Sequence, residues 1–351
     1  MDPITREQRI QTYFLGVLTA VAVAASLYWL RSMLIPFVLA VFFSLGLTPF
    51  IDLLTQRLRV PRPFAILAAL ALLFVALSLV TSLITTSVSQ LGENARAYQQ
   101  QLGLLMTRGV DLLPLERLGF EDDFVFDPRS LIPPKSVGSL LMGTTNAIVD
   151  LLSQGLIVMI YVFFLLSGGS AARNVAGTVV GELTTSIKRY IVTQTILSSV
   201  TGLLVGTVLM TLGIDLALVF GLFAFLLNFI PSIGSIIATL LPLPVVLVSP
   251  EVSGTTAALA IGIPGAIQFT IGNLIAPRVL GSSLDLHPVT ILLALMFWGS
   301  LWGVVGMLLA TPIMAVLKML ADRFERTQAL AHIMAGTFAE TPVEAVADAD
   351  A

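Results

Sequence analysis

The sequence predicts an all-α fold: a polytopic integral membrane protein with about six full spans plus two broken helical hairpins that form an inverted repeat. Three observations predict it. Hydrophobic residues make up 56% and charged residues 11%, against about 45–50% and about 25% in soluble domains. The apolar residues gather in blocks of about 20, the helix length that crosses a bilayer's hydrocarbon core. Two of the later blocks are interrupted at corresponding places, one by Asn, Pro and Gly and the other by Gly and Ser.

Tyr13–Leu30 predicts the first span, with Tyr28 and Trp29 as interface anchors at its far end. Arg6 and Arg9 precede it, as in a signal peptide. The run is long for one, however, and a second apolar run starts at Met33, so it reads as a retained span. Arg31 and Ser32 predict a tight turn. Met33–Leu54 is the second span, with Pro36 and Pro49 inside its ends. A basic loop carrying Arg57, Arg59 and Arg62 leads to the third span, Phe64–Ile84. Residues 85–138 differ in kind: Glu93, Asp111, Glu116, Glu121, Asp122, Asp123 and Asp127 mark an aqueous segment. Within it Ser89–Arg108 predicts an amphipathic helix, and Phe120–Pro134 is broken by Pro128, Pro133 and Pro134. Thr145–Leu166 is the fourth span, followed by a polar stretch with Arg173, Lys188 and Arg189.

From Ile191 to Leu317 the chain is nearly continuous apolar sequence, with charges at Asp215, Glu251, Arg278 and Asp285. Gln194–Leu212 is a fifth span and Thr255–Ala276 another. Between them Leu216–Val248 is interrupted at Asn228–Gly234. After them Pro288–Lys318 is interrupted at Trp298–Gly303. The acidic, small residues of Glu340–Ala351 predict disorder. The expected organisation is therefore residues 1–84 as three N-terminal spans and 85–140 as an extracytoplasmic, partly helical segment. Residues 141–190 hold span four and a cytoplasmic linker, 191–320 the transport core, and 321–351 a cytoplasmic tail.

Orientation follows from Lys and Arg in short loops, which stay on the cytoplasmic side. Arg6, Arg9, Arg57, Arg59, Arg62, Arg173, Lys188 and Arg189 share one side if the first four spans alternate. Both termini are then cytoplasmic. Asp215 and Glu251 fall outside, so Leu216–Val248 leaves and returns on one face. Arg278, Lys318, Arg323 and Arg326 fall inside, so Pro288–Leu317 does the same from the opposite face. The arms of these hairpins are roughly 14–17 residues long, and the shorter ones cover about 21–25 Å, less than the roughly 30 Å core. Broken backbone at that depth needs protein or a water-filled cavity to satisfy its freed groups.

An internal repeat points the same way. Gly234-Ser-Ile-Ile-Ala238-Thr239 matches Gly306-Met-Leu-Leu-Ala310-Thr311 at an offset of 72, where Pro231 meets Gly303. Each copy is one full span plus one hairpin. Paired Gly/Pro-broken segments in inverted repeats point to a transporter's binding site.

The residues also carry a family likeness. Gly221–Gly234, reading Gly-Leu-Phe-Ala-Phe-Leu-Leu-Asn-Phe-Ile-Pro-Ser-Ile-Gly, resembles the signature of the autoinducer-2 exporter family of bacterial permeases. So do Asn273-Leu-Ile-Ala-Pro277-Arg278-Val-Leu-Gly281 with Leu284-Asp-Leu286-His287-Pro288, and Gly299, Gly303 and Gly306 leading to Ala310-Thr311-Pro312. The resemblance implies a multi-pass transporter of the bacterial inner (cytoplasmic) membrane that works as a homo-oligomer. It implies an exporter-like permease for a small polar solute such as autoinducer-2. Sodium/proton or lithium/proton antiport, with a monovalent cation and a proton as partners, is the alternative activity in that family.

Candidate path residues follow, each with a structural alternative. Asn228, Pro231 and Gly234 form the first hairpin tip. Asn offers a donor and an acceptor and Pro frees a carbonyl, which suits a polar solute or a cation; the alternative is a tight turn with a capping Asn. Gly303, which meets Pro231 in the repeat, and Thr311 and Pro312 beyond it are the candidates in the second hairpin. Arg278, Asp285 and His287 cluster before that hairpin. Asp285 and His287 are candidates for proton exchange; alternatively Asp285 caps the next helix and Arg278 marks the inner face. Gln268 and Asn273 line a path or make interhelical hydrogen bonds. Asp150 and Gln154 share a helix face near the outer surface. Gly202 and Gly206 form G-x-x-x-G, a close-packing signal.

Other classes lose ground on composition. A formal net charge of −3 shows no basic surface for nucleic acid. The absence of cysteine excludes disulfides and thiolate chemistry. Two histidines, His287 and His332, make no zinc site. No cofactor or metal is expected. An intramembrane enzyme would need a nucleophile and base; Ser300 with His287 is the Ser/His pairing it could use, and no G-x-S-x-G elbow is present. A non-transporting scaffold or regulatory protein, docking through residues 85–138, has no use for buried irregular backbone.

Overall fold

The computed structural model describes residues 6–111, 135–168, 179–249, 252–280, 286–324 and 327–336. Among them the chain is helical and contains no strand. Helices α1 (Arg6–Trp29) and α2 (Arg31–Gln56) are separated by Leu30 alone. The Met33 and Leu34 amides both donate to the Leu30 carbonyl, so the bend sits one residue ahead of the Arg31–Ser32 turn expected from sequence. Helix α3 (Arg62–Asp111) runs 50 residues without interruption, about 75 Å at 1.5 Å per residue. The third span and the amphipathic helix expected after it are thus one rod, more than twice the depth of a hydrocarbon core. No Pro or Gly-Gly pair breaks it before residue 112. Helix α4 (Lys135–Gly168) likewise begins ahead of its apolar stretch, and α5 (Val179–Thr211) follows.

Among the described residues six helical segments are long and apolar enough to cross a membrane: Arg31–Gln56, Arg62–Gln90, Val149–Gly168, Thr184–Thr211, Gly254–Leu280 and Pro288–Arg323. Shorter apolar helices are Phe14–Trp29, Ala217–Leu227 and Ile233–Val248. Large apolar side chains point outward from these segments, with Leu203 71% and Met296 72% exposed. Water does not tolerate such surface over whole helices, and lipid does. The chain is a polytopic all-α membrane protein.

The chain divides into two compact, discontinuous units. The first holds residues 1–58, 160–192 and 282–351. In it Phe37 meets Tyr161 edge-on at 6.0 Å, and Ile191 packs onto Gly46. Lys188 donates to Asp52 across 3.0 Å, and Arg323 pairs with Glu182. Helix α11 (Pro288–Arg323) and the short α12 (Gln328–Ala335) complete this unit. The second unit holds residues 59–159 and 193–281. Helices α6 (Ala217–Leu227), α7 (Ile233–Leu240) and α8 (Leu243–Val248) pack there with α9 (Gly254–Phe269). Val205, Leu209, Phe220, Ala224 and Ala260 form its apolar core. A π-helical segment, Thr270–Ile275, joins α9 to α10 (Ala276–Leu280).

Candidate functional site

Both interrupted segments fold back on themselves, each inside its own unit. In the second unit α6 and α7 are the arms of a hairpin whose tip is residues 228–232. Pro231 supplies no N–H at the tip, and Ser232 sits at φ +63°, a left-handed conformation that costs a β-carbon-bearing residue free energy. The arms then cross so closely that a Cβ on Gly234 would fall inside the Leu227 carbonyl. Only glycine permits this crossing. The second arm is itself bent at Leu241–Pro242, between α7 and α8.

Helix α5 holds this tip. Gln194 Nε2 donates to the Asn228 carbonyl at 2.6 Å, and Asn228 Nδ2 donates to Ser198 Oγ at 3.0 Å. Gln194, Ser198 and Thr201 are all buried. Their spacing of four and then three places them on one face of α5. The same contact continues through glycines: a Cβ on Gly202 would stand 2.7 Å from the Gly221 carbonyl oxygen, and one on Gly221 would stand 2.7 Å from that of Gly202. The G-x-x-x-G motif does what its close-packing reading expects. It lets the α5 and α6 backbones touch and so brings the polar stripe onto the tip.

In the first unit α11 is two antiparallel arms. Gly303 takes φ +62°, ψ −142°, a region that in practice only glycine occupies. A Cβ on Gly306 would fall inside the Trp298 carbonyl, and one on Gly299 would meet Met307 Cγ at 2.9 Å. Residues eight apart would lie about 12 Å apart along a straight helix, so contact between them requires the reversal. The two ends of α11, at Pro288 and at Lys318 with Asp322, line one cavity. The repeat read from sequence thus has a geometric counterpart. Gly234 and Gly306 each lie under a first-arm carbonyl, and each packs on the Cβ of the residue four before it, Ile230 and Trp302.

The second tip differs in chemistry. Trp298 and Trp302 lie with ring centroids 5.0 Å apart. The Trp302 indole donates to the Leu27 carbonyl at 3.1 Å, while the buried Trp298 indole N–H has no partner. Thr311 is buried beside the Tyr190 phenol and meets no partner in full hydrogen-bond geometry. Pro312 is buried next to it in the second arm.

The remaining sequence candidates separate. Gln268 is buried in α9 with neither amide atom bonded. Asn273 is exposed in the π segment, where its Nδ2 donates to the Phe269 carbonyl of its own helix at 3.2 Å. Arg278 is exposed in α10. His287 is the N-cap of α11, its Nδ1 accepting from the Val289 amide at 3.3 Å. Asp285 lies outside the described residues. Sequence reasoning passed over Gln194, Ser198 and Thr201 as site residues, although a polar i, i+4, i+7 stripe inside an apolar span was a readable signal. Tyr190 follows Lys188 and Arg189, and Trp298 and Trp302 bound the second interruption, but no spacing tied them to a site.

Comparison with known proteins fits this geometry. Residues 17–326 match the family described as AI-2E family transporter. The AI-2 transport protein TqsA of Escherichia coli K12 is 30% identical over 91% of this chain and 94% of its own. A putative transport protein of Haemophilus influenzae Rd is 28% identical over 91% and 95%. The putative transport protein YhhT of Escherichia coli K12 is 26% identical over 87% and 88%.

Proposed function

The chain belongs to the AI-2E transporter family, and from that premise we propose that it is an exporter-like permease for a small polar solute such as autoinducer-2. It is a multi-pass bacterial membrane transport protein; the solute, and its placing in the inner membrane with both termini cytoplasmic, are our reading. One observation carries the proposal: the broken tip at Asn228 laid against the buried Gln194–Ser198 face of α5. These groups are uncharged donors and acceptors at a break in an apolar hairpin, the setting in which hydroxyls and carbonyls of a polar solute find replacement partners for water. Within the second unit, Asn228, Pro231, Gly234 and the buried Gln268 are the residues we assign to the solute; within the first unit, Gly303, Thr311 and Pro312 of the other hairpin are the candidates.

The similar protein named for AI-2 transport supports autoinducer-2 as the first solute to try. Buried polar side chains among the described residues are neutral except Lys318. That favours a neutral solute over proton-coupled cation exchange, which needs a titrating group in the path. We also propose that the functional particle is a homo-oligomer.

The test is flux in proteoliposomes. Efflux of loaded autoinducer-2 is expected, falling at least tenfold in Asn228→Ala with insertion unchanged. A sodium gradient imposed on the same vesicles is expected to leave internal pH unaltered. No efflux of autoinducer-2 by folded wild type overturns the assignment of this solute. Sodium-driven pH change would install the antiport alternative in its place.

A further inference from the structure

The first unit contains a cluster of titratable groups away from the hairpin tips. A cavity of about 450 Å³ opens where the two ends of α11 meet α12. His287, Lys318, Asp322 and His332 line it together with Leu286, Pro288, Ala331 and Ala335. Both histidines of the chain are therefore in one place. Helix α12 acts as a strap across the open end of the hairpin. Its Met334 carbonyl accepts from the His287 amide at 2.9 Å and from the Thr290 hydroxyl at 3.0 Å. The strap ends on Gly336 at φ +75°, packed so tightly on the His287 ring that a Cβ there would overlap Cδ2.

We infer that His287 makes this strap a proton-sensitive clasp, docked when the imidazole is neutral and released when it is protonated. The argument is stereochemical. His287 Nδ1 accepts a hydrogen bond from the Val289 amide, which only an unprotonated Nδ1 can do. A proton on that atom turns an acceptor into a donor facing another donor. The ring must then rotate away, and rotation breaks its packing on Gly336. Charge acts in the same direction. Lys318 and Asp322 stand 3.9 Å apart and offset one another. Protonating His287 adds a positive charge to a cavity that already holds Lys318 and, among the described residues of its lining, one carboxylate, Asp322. Arg323, on the same turn of α11, is paired with Glu182. Histidine is the side chain whose charge changes across the physiological range, so a fall in pH on that side loosens the base of the hairpin. The clasp does not depend on the identity of the transported solute.

The absence of native cysteine allows a direct test. Nitroxides on Leu293→Cys in α11 and Leu330→Cys in α12, both exposed, report the strap by pulsed dipolar spectroscopy in nanodiscs. Near pH ~7.5 one narrow distance is expected; near pH ~5.5 a longer, broader population is expected to dominate. His287→Asn, which caps a helix without titrating, is expected to keep the narrow distance at both values. Should that variant not fold, His287→Ser replaces it. A wild-type distance that does not change with pH overturns the inference, and so does a capping variant that shifts as wild type does.

Discussion

The two hairpins share a scaffold and differ at the tip. Each reverses over a few residues, and each depends on a glycine under a carbonyl of its own first arm, Gly234 under Leu227 and Gly306 under Trp298. At the first tip the polar groups are engaged by a stripe on α5. At the second, two indoles dominate, and Trp298 keeps a buried N–H without a partner. Small residues at fixed spacing build the reversal, while the larger side chains around it set what the tip offers a solute.

The strongest way to break this comparison is to fill the crossings. Gly234→Ala and Gly306→Ala should each destabilise the protein by roughly 3 kcal/mol or more, because backbone cannot yield as a flexible side chain can. Unfolding in mixed micelles measures this. Unequal losses would show that the two reversals are not equivalent. Gly265→Ala, whose new Cβ would stand 3.3 Å from Thr239 Cγ2, is the mild control.

Next in size are the tips themselves. Gly303→Ala should cost about 2 kcal/mol, since its φ and ψ are unfavourable for any residue with a Cβ. Ser232→Gly should instead stabilise, by about 1 kcal/mol, by relieving the same class of strain in the other hairpin. The same unfolding measurement reads both, and their opposite signs are the point.

Gln194→Leu removes the donor to the Asn228 carbonyl and leaves that acceptor buried, a loss of about 1–3 kcal/mol. Solute efflux should fall together with stability. Smallest in stability is Gln268→Leu, expected to be neutral or stabilising by about 1 kcal/mol, because it deletes two buried polar atoms that have no partner. Efflux decides what Gln268 is for: loss of transport from a more stable protein places it in the path, and normal transport makes it a structural remnant.

Much of the fold was legible in the sequence because lipid imposes a simple code. Apolar runs of about 20 residues have one common fate in a bilayer, so the spans from Met33 to Ala276 could be read, while the apolar part of the first helix, Phe14–Trp29, is shorter than the crossing segments. Gly/Pro breaks at Asn228–Gly234 and Trp298–Gly303 marked the reversals, since proline withholds a donor and glycine admits backbone that other residues refuse. Boundaries were less legible. Nothing in Thr85–Asp111 changes the helical preference of the chain, so α3 runs on past the membrane-length stretch. At the other extreme α1 ends at a single residue, Leu30, that carries no breaker signal.

Of the candidate path residues, Asn228, Pro231 and Gly234 come together at one tip and Gly303, Thr311 and Pro312 lie in the other hairpin, as their spacing implied. Composition and spacing by themselves determined the membrane class, the two reversals and the glycines that permit them, because those follow from chain chemistry over a few neighbouring residues. Tertiary structure alone decided which neutral groups of α5 meet the first tip and that both histidines share a cavity under α12. It also decided which buried atoms, at Gln268 and Trp298, go without partners. Hydrogen bonds between residues 30 or more positions apart depend on how helices pack, and packing is settled by side-chain shape in three dimensions rather than by any local pattern along the chain.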